Sequence, residues 1–281
     1  SGSTVNFFQP GQESVILNRV NGDTTSTILG QLNANGQVFL VNPNGIFIGP
    51  NGSVNAGGFV ASTLDISDDD FLNGRNRFAG SGSSAAVENA GTISIVPGGY
   101  AALIGGRVSN SGLIRVPLDK VGLGAGESVT LDVSGDGFLQ VAVPSDSDDA
   151  MMEALVSNSG RIEANGGSVH LKAASARNAA RQVINMSGVI EAQSVGGVSG
   201  AVVLGGSGGG VRVSGTIDTS AQETLVETSL RPRIRNQNGG SITITGEAIT
   251  GAGATLSADG AGAGNGGTIL VGGDFQGGGA L

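Results

Sequence analysis

Asn89-Ala90-Gly91-Thr92-Ile93-Ser94-Ile95 is a small-residue corner followed by alternating polar and apolar side chains. The pattern returns as Asn110-Ser111-Gly112-Leu113-Ile114-Arg115-Val116 and as Asn158-Ser159-Gly160-Arg161-Ile162-Glu163-Ala164. It returns twice more, as Met186-Ser187-Gly188-Val189-Ile190-Glu191-Ala192 and Val213-Ser214-Gly215-Thr216-Ile217-Asp218-Thr219. A period of two is that of a half-buried strand. Short strands with corners at close intervals cannot bury their apolar faces singly. Stacked as successive turns of a solenoid they can, because each backbone pairs with the turns above and below.

Between the copies lie further short strands, such as Ser168–Ala173, Ala201–Leu204 and Gly240–Thr245. The expected fold is therefore all-β: a right-handed parallel β-helix, with short extra-helical hairpins, loops and one or two short helices. A β-sandwich is the alternative, and it would show clearer hairpin pairs. At about 4.8 Å per coil, the stack would be on the order of 50–65 Å long. Three segments interrupt the strand pattern. Asp148–Val156 and Ala174–Val183 read as short helices, and Ser220–Asn238 as a loop thrown out of the stack, of the kind that carries binding surfaces.

Composition agrees. In 281 residues there are 52 glycines, no tryptophan and no cysteine, and aromatics are only 4%. No Gly-X-Y period exists, so collagen is excluded, and recurrent Val, Ile, Leu and Ala argue against disorder. A formal charge of −9 argues against nucleic acid as a partner and against electrostatic docking on anionic membranes. No apolar run approaches the roughly 18–20 residues of a spanning helix, so no membrane insertion is expected. Without cysteine there is no disulfide or thiolate metal site, which suits export through an oxidising periplasm.

One segment stands apart: Val38-Phe39-Leu40-Val41-Asn42-Pro43-Asn44-Gly45-Ile46-Phe47-Ile48. Two apolar runs flank a turn in which proline presets φ and Asn-Gly accepts the positive φ that follows. The same residues also suit an ordinary hairpin turn. Around it stand Val5-Asn6-Phe7-Phe8-Gln9-Pro10, Ile16-Leu17-Asn18-Arg19-Val20 and Ile28-Leu29-Gly30-Gln31-Leu32. Downstream come Val54-Asn55-Ala56-Gly57-Gly58 with Ala61-Ser62-Thr63-Leu64, then Asp70-Phe71-Leu72-Asn73-Gly74. In that order and spacing, from about Val5 to Ile95, the chain resembles the secretion domain of two-partner secretion exoproteins, the filamentous haemagglutinin family of Gram-negative bacteria. The Leu17-Asn18-Arg19-Val20 form is closer to the subgroup of high-molecular-weight adhesins and haem-acquisition exoproteins.

The resemblance implies a secretion-domain core over residues 1–116, continued by β-helix coils with loop insertions over 117–281 as one solenoid. It implies recognition by a partner outer-membrane transporter with periplasmic POTRA domains, passage through the periplasm, and folding at the cell surface or in the medium. The residues expected to serve transporter recognition or fold nucleation are Asn42, Pro43, Asn44, Gly45 and Ile46, with Asn18 and Arg19 secondary. Structural duty is the favoured role for the turn, and Arg19 is expected either to pair with an acidic loop or to face the pore. The family's domain normally begins upstream of the Val5 segment, so a first coil with a bare strand edge is also expected.

Other chemistry is weakly supported. His170 is the only histidine, and alternation sets it opposite Val169 and Leu171 as an outward-facing spectator. Gly205-Gly206-Ser207-Gly208-Gly209 and Gly262-Ala263-Gly264-Asn265-Gly266-Gly267 mimic a nucleophile elbow and a dinucleotide loop, but at this glycine density such matches arise by chance. The clusters Asp65/Asp68/Asp69/Asp70 and Asp146/Asp148/Asp149 lack the spacing of a calcium loop, so no metal or cofactor is expected. Two further readings stay open: an adhesive β-helix that binds a host or neighbouring-cell surface ligand through its loops, and a polysaccharide-processing β-helix. The second lacks aromatic platforms, and no enzyme activity is expected.

Overall fold

The computed structural model describes residues 2–81, 85–133, 137–143, 154–175, 182–226 and 233–272. Three parallel sheets of nine, nine and eight strands run the length of the stack. The chain visits them in rotation. Thr4–Phe7, Val15–Arg19 and Ser26–Ile28 make the first coil, and Gln31–Ala34, Gln37–Val41 and Ile46–Ile48 the second. This is the β-helix expected from the repeat.

The register shows why the repeat was needed. Leu32, Val54, Ile93, Ile114, Ile162, Ile190, Ile217 and Leu256 are successive partners in one sheet and form a single column. The five isoleucines of the repeat are all fully buried there. Burial of each such side chain stabilises the fold by roughly 1.5–3 kcal/mol.

Two further columns stand beside it. Asn89, Asn110 and Asn158 lie in register and are almost fully buried. Asn89 Nδ2 donates to Asn110 Oδ1 at 2.8 Å, Asn110 Nδ2 to Asn158 Oδ1 at 2.7 Å, and Asn158 Nδ2 meets Met186 Sδ at 3.3 Å. The ladder satisfies amides that would otherwise be costly inside a core. Next to it the corner glycines pack backbone on backbone. A Cβ on Gly112 would sit 2.1 Å from the Gly91 carbonyl oxygen, and one on Gly160 2.2 Å from that of Gly112. Here glycine is required by close approach and not by a positive φ.

Two insertions leave the solenoid between the second and third sheets. The first carries Asp65–Ile66, the helix Asp68–Leu72 and Asn76–Ala79; the second carries Ser128–Leu131 and Leu139–Val143. Together they form one antiparallel four-stranded sheet. It covers the outer face of the second parallel sheet and creates a separate core containing Phe39, Val41, Val60, Ile104, Phe78 and Phe138. The strand Lys120–Ala125 carries Gly122 and Gly124 because Phe138 and Leu139 occupy the space their side chains would need.

Three expectations change. The described helix is Asp68–Leu72, a segment the sequence marks only as an acidic cluster. Ser67 Oγ accepts from the Asp70 amide at 3.1 Å, and Asp68, Asp69 and Asp70 fill the first turn, where the helix dipole favours anions. The two segments read as helices end in strands. Val156 opens Val156–Asn158, with 144–153 outside the described residues; Ala174 closes Ser168–Ala174 and Gln182 opens Gln182–Met186, with 176–181 outside them. In the third interruption Leu225–Val226 pairs antiparallel with Arg233–Ile234 as a two-stranded sheet separate from the three parallel ones, with 227–232 outside the described residues.

His170 is the third correction. It does face away from the inner core, yet it is only 6% exposed, because Phe138 lies over it with ring centroids 5.9 Å apart. Alternation predicted the direction correctly and could not foresee the cover. Burial, with Lys172 and Lys120 nearby, lowers its pKa to about 4.

Candidate recognition site

The Asn42–Ile46 turn closes the second coil, between the end of Gln37–Val41 and the start of Ile46–Ile48. Its conformation follows from its residues. Asn42 Oδ1 accepts from the Asn44 amide at 2.9 Å, an Asx turn across Pro43, and Gly45 N donates to Asn42 O at 3.1 Å. Gly45 takes φ +112°, which a side chain would resist.

The turn is also bolted to the preceding coil. Asn42 is fully buried, and its Nδ2 donates to Thr24 O at 3.0 Å and to Ser26 Oγ at 2.8 Å. Asn44 Nδ2 reaches Gly22 O at 2.7 Å, while Thr25 Oγ1 donates back to Asn44 O at 2.9 Å. Ile46 is buried in the inner core and Gly45 beneath the turn, whereas Pro43 and Asn44 are exposed. Asn42, Gly45 and Ile46 are thus enclosed and Pro43 and Asn44 reach solvent, with Asn44 also bonded to the preceding coil.

Asn18 and Arg19 sit on Val15–Arg19, the edge strand beneath the same turn. Asn18 Nδ2 makes a long contact with Phe39 O, 3.5 Å. Arg19 does pair with an acidic loop: Nε is 2.9 Å from Asp65 Oδ1 and Nη1 2.5 Å from Asp68 Oδ1, and Nη2 donates to the Ile66 carbonyl. Its hydrogen bonds to the Asp68 and Asp65 carboxylates hold its pKa above the ordinary arginine range. The arginine therefore fastens the first insertion to the first coil. Arg75 engages Asp69 and Asp70 in the same way, so the acidic cluster is largely consumed by arginines.

Sequence reasoning found the turn but missed its partners Gly22 and Thr24, in a polar loop without periodicity, and Ser26, which opens the strand after it. Among the described residues no group of three His, Cys, Asp or Glu side chains could hold a metal ion. The arrangement is one of register and docking.

A family model of the TPS secretion domain matches residues 1–219. The heme/hemopexin-binding protein of Haemophilus influenzae strain Rd is 32% identical over 266 residues, 91% of this chain and 28% of that protein. A second Haemophilus influenzae heme/hemopexin-binding protein is 45% identical over 62 residues, 22% of this chain and 7% of that protein. The crystal structure of the HMW1 secretion domain from Haemophilus influenzae superposes with a TM-score of 0.72 at 31% identity, covering 91% of this chain and 62% of that one. The chain thus spans less than a third of the length of its curated relatives.

Proposed function

The chain belongs to the family of TPS secretion domains, and we propose that it is the N-terminal secretion domain of a large exoprotein, recognised by a dedicated outer-membrane transporter. The family and the fold are those of secretion domains of large exoproteins, which are secreted or displayed on the surface of Gram-negative bacteria. In the proposal, the POTRA domains of the transporter bind the unfolded chain in the periplasm, and the β-helix forms once the chain emerges.

The observation that carries this reading is the lock between the first two coils. Asn42 and Asn44 tie the second coil to residues 22–26 of the first, so the first coils have specific bonds to set their register. A solenoid of in-register parallel coils can then grow by nearest-neighbour addition, each coil templating the next. Such stepwise burial supplies a free-energy gradient that draws the chain outward. Under this reading Asn42, Asn44, Gly45 and Ile46 serve nucleation, and Pro43 and the exposed side of Asn44 are open to contact.

Purified POTRA domains of the cognate transporter, titrated onto the chain held unfolded in low urea and onto the folded chain, test recognition. Saturable binding to either state, weakened by replacing Asn42–Ile46, supports the proposal; absence of binding to both overturns it. The activity of the parent protein is a separate matter. Two relatives are named for binding heme and hemopexin, and we extend to the parent of this chain only the class, a surface protein acting through regions beyond its secretion domain.

A further inference from the structure

A cavity of about 350 Å³ opens where the second parallel sheet begins, beneath both insertions. Its polar lining is unusual. Glu13 and Asp119 both face it, and neither forms an ion pair among the described residues. The neighbouring cations are committed elsewhere. Arg75 is held by Asp69 and Asp70, Arg19 by Asp65 and Asp68, and the Lys120 ammonium by the Val133 carbonyl at 3.0 Å, over the Phe138 ring.

Two amides lie deeper. Asn76 is 9% exposed, shares the inward face of its strand with Phe78, and its side chain makes no hydrogen bond among the described residues. Gln37 is equally buried. Its Oε1 accepts from the Tyr100 hydroxyl at 3.0 Å, which leaves Nε2 without a partner among the described residues. The unpaired amide atoms are not sealed from solvent but open into the cavity, where water completes them until a ligand takes its place. Phe71, with Val15 and Val133, supplies the apolar part of the lining, and the buried Phe39 ring backs Phe71 edge-to-face with centroids 5.8 Å apart.

We propose that this cavity binds a guanidinium group, the side chain of an arginine on a peptide segment. A guanidinium offers five donors in a plane and has no acceptor. The cavity offers it two carboxylates, the Asn76 Oδ1 and an aromatic wall on which a planar cation can rest. The Gln37 Nε2 and Asn76 Nδ2 donors remain for a peptide carbonyl beside the arginine, which favours a peptide over the free amino acid. Free arginine would also bring a carboxylate against Glu13 and Asp119. Burial holds the Asp119 carboxyl above its ordinary pKa, only partly offset by the Lys120 amide, which donates to Oδ1 at 2.9 Å, and by the Lys120 charge. This inference is independent of the transporter reading.

The test is calorimetric titration of the folded 281-residue chain at low salt with acetyl-Gly-Arg-Gly-amide. Parallel titrations use its citrulline analogue, free arginine and N-acetylglucosamine. The proposal predicts saturable binding of the arginine peptide, with citrulline and free arginine each about tenfold weaker or worse, the scale of one lost charge-assisted contact. Asp119→Asn and Asn76→Ala should each weaken the arginine peptide at least as much. Glu13 is exposed, so Glu13→Gln supplies the same comparison should a buried substitution disturb folding. Equal binding of citrulline, preferential binding of the sugar, binding indifferent to all three substitutions, or no saturable binding of the arginine peptide would overturn it.

Discussion

Asn42 Nδ2 lies 2.8 Å from Ser26 Oγ, so an asparagine that sequence alone marks as a turn residue is a rivet between the first two coils. The same nitrogen also donates to Thr24 O, and its Oδ1 accepts from Asn44. Asn42→Ala removes these three part-buried hydrogen bonds and the packing of a fully buried side chain, and should lower stability by roughly 3 kcal/mol. Ser26→Ala removes one partner without touching the Asn-Pro-Asn-Gly sequence and should cost about 1 kcal/mol. Chemical denaturation of both variants and of the double variant measures the coupling. If the turn acts through folding, export should fall in proportion to stability in both single variants. An Asn42→Ala export defect far larger than its stability loss predicts would assign the turn to direct reading by the transporter.

Arg19 fastens the first insertion through Asp65, Asp68 and the Ile66 carbonyl. These groups are partly exposed, so Arg19→Gln should cost only about 0.5–1 kcal/mol globally. Its effect should be local: faster amide exchange over Asp65–Ile66 and Asn76–Ala79, with the inner coils unchanged. Uniform loss of protection throughout the stack would contradict the pinning role.

Gly112→Ala should be strongly destabilising, because its Cβ would lie 2.1 Å from the Gly91 oxygen and one coil would have to move away from the next. A penalty of about 2 kcal/mol or more is expected, in the range for overpacking. Gly251→Ala, where a Cβ meets nothing within 4 Å, should be nearly neutral. Thermal melts of the two variants suffice to compare them.

His170 makes stability depend on pH. Its pKa is about 4 in the folded chain against an ordinary 6.5, so folding favours the neutral ring. The unfolded chain therefore binds more protons between these values. Stability is full above about pH 6.5 and falls as the pH drops toward 4, by up to roughly 3 kcal/mol. Glu163, held below its ordinary pKa by Arg115 and then Arg161, adds a loss in the same direction as it is protonated. His170→Gln should remove the first component and keep the second, so the difference between variant and parent stability curves isolates the histidine. A constant difference from pH 7 to 4 would refute its buried neutral state.

Much of this was legible in the sequence because a β-helix repeats its constraints. Ile93, Ile114, Ile162, Ile190 and Ile217 needed one register to be buried together, and Gly91, Gly112 and Gly160 marked the corners of that register. The second core was harder to see. Its outward residues Phe39, Val41 and Ile104 sit in runs that are apolar on both faces, Gln37–Val41 and Ala101–Gly105, and such runs signal burial from two sides. What covers them comes from segments far apart in the chain, and only pairing of Asn76–Ala79 with Ser128–Leu131 reveals it. The short helix is announced by Ser67 followed by three aspartates, a capping signal that is overlooked when the aspartates are read only as a cluster of charge. The partners of Asn42 had no local signal, because a polar loop becomes specific only when the next coil is laid upon it.

The most direct test of the account is pulse-labelled export in a Gram-negative host. The chain is carried behind a cleavable export signal, with and without its cognate transporter, and the medium and periplasm are quantified for protease-resistant protein. The account predicts that folded, resistant chain appears in the medium only when the transporter is present. Equal amounts in the medium with and without the transporter, or retention in the periplasm despite it, would contradict the secretion-domain reading.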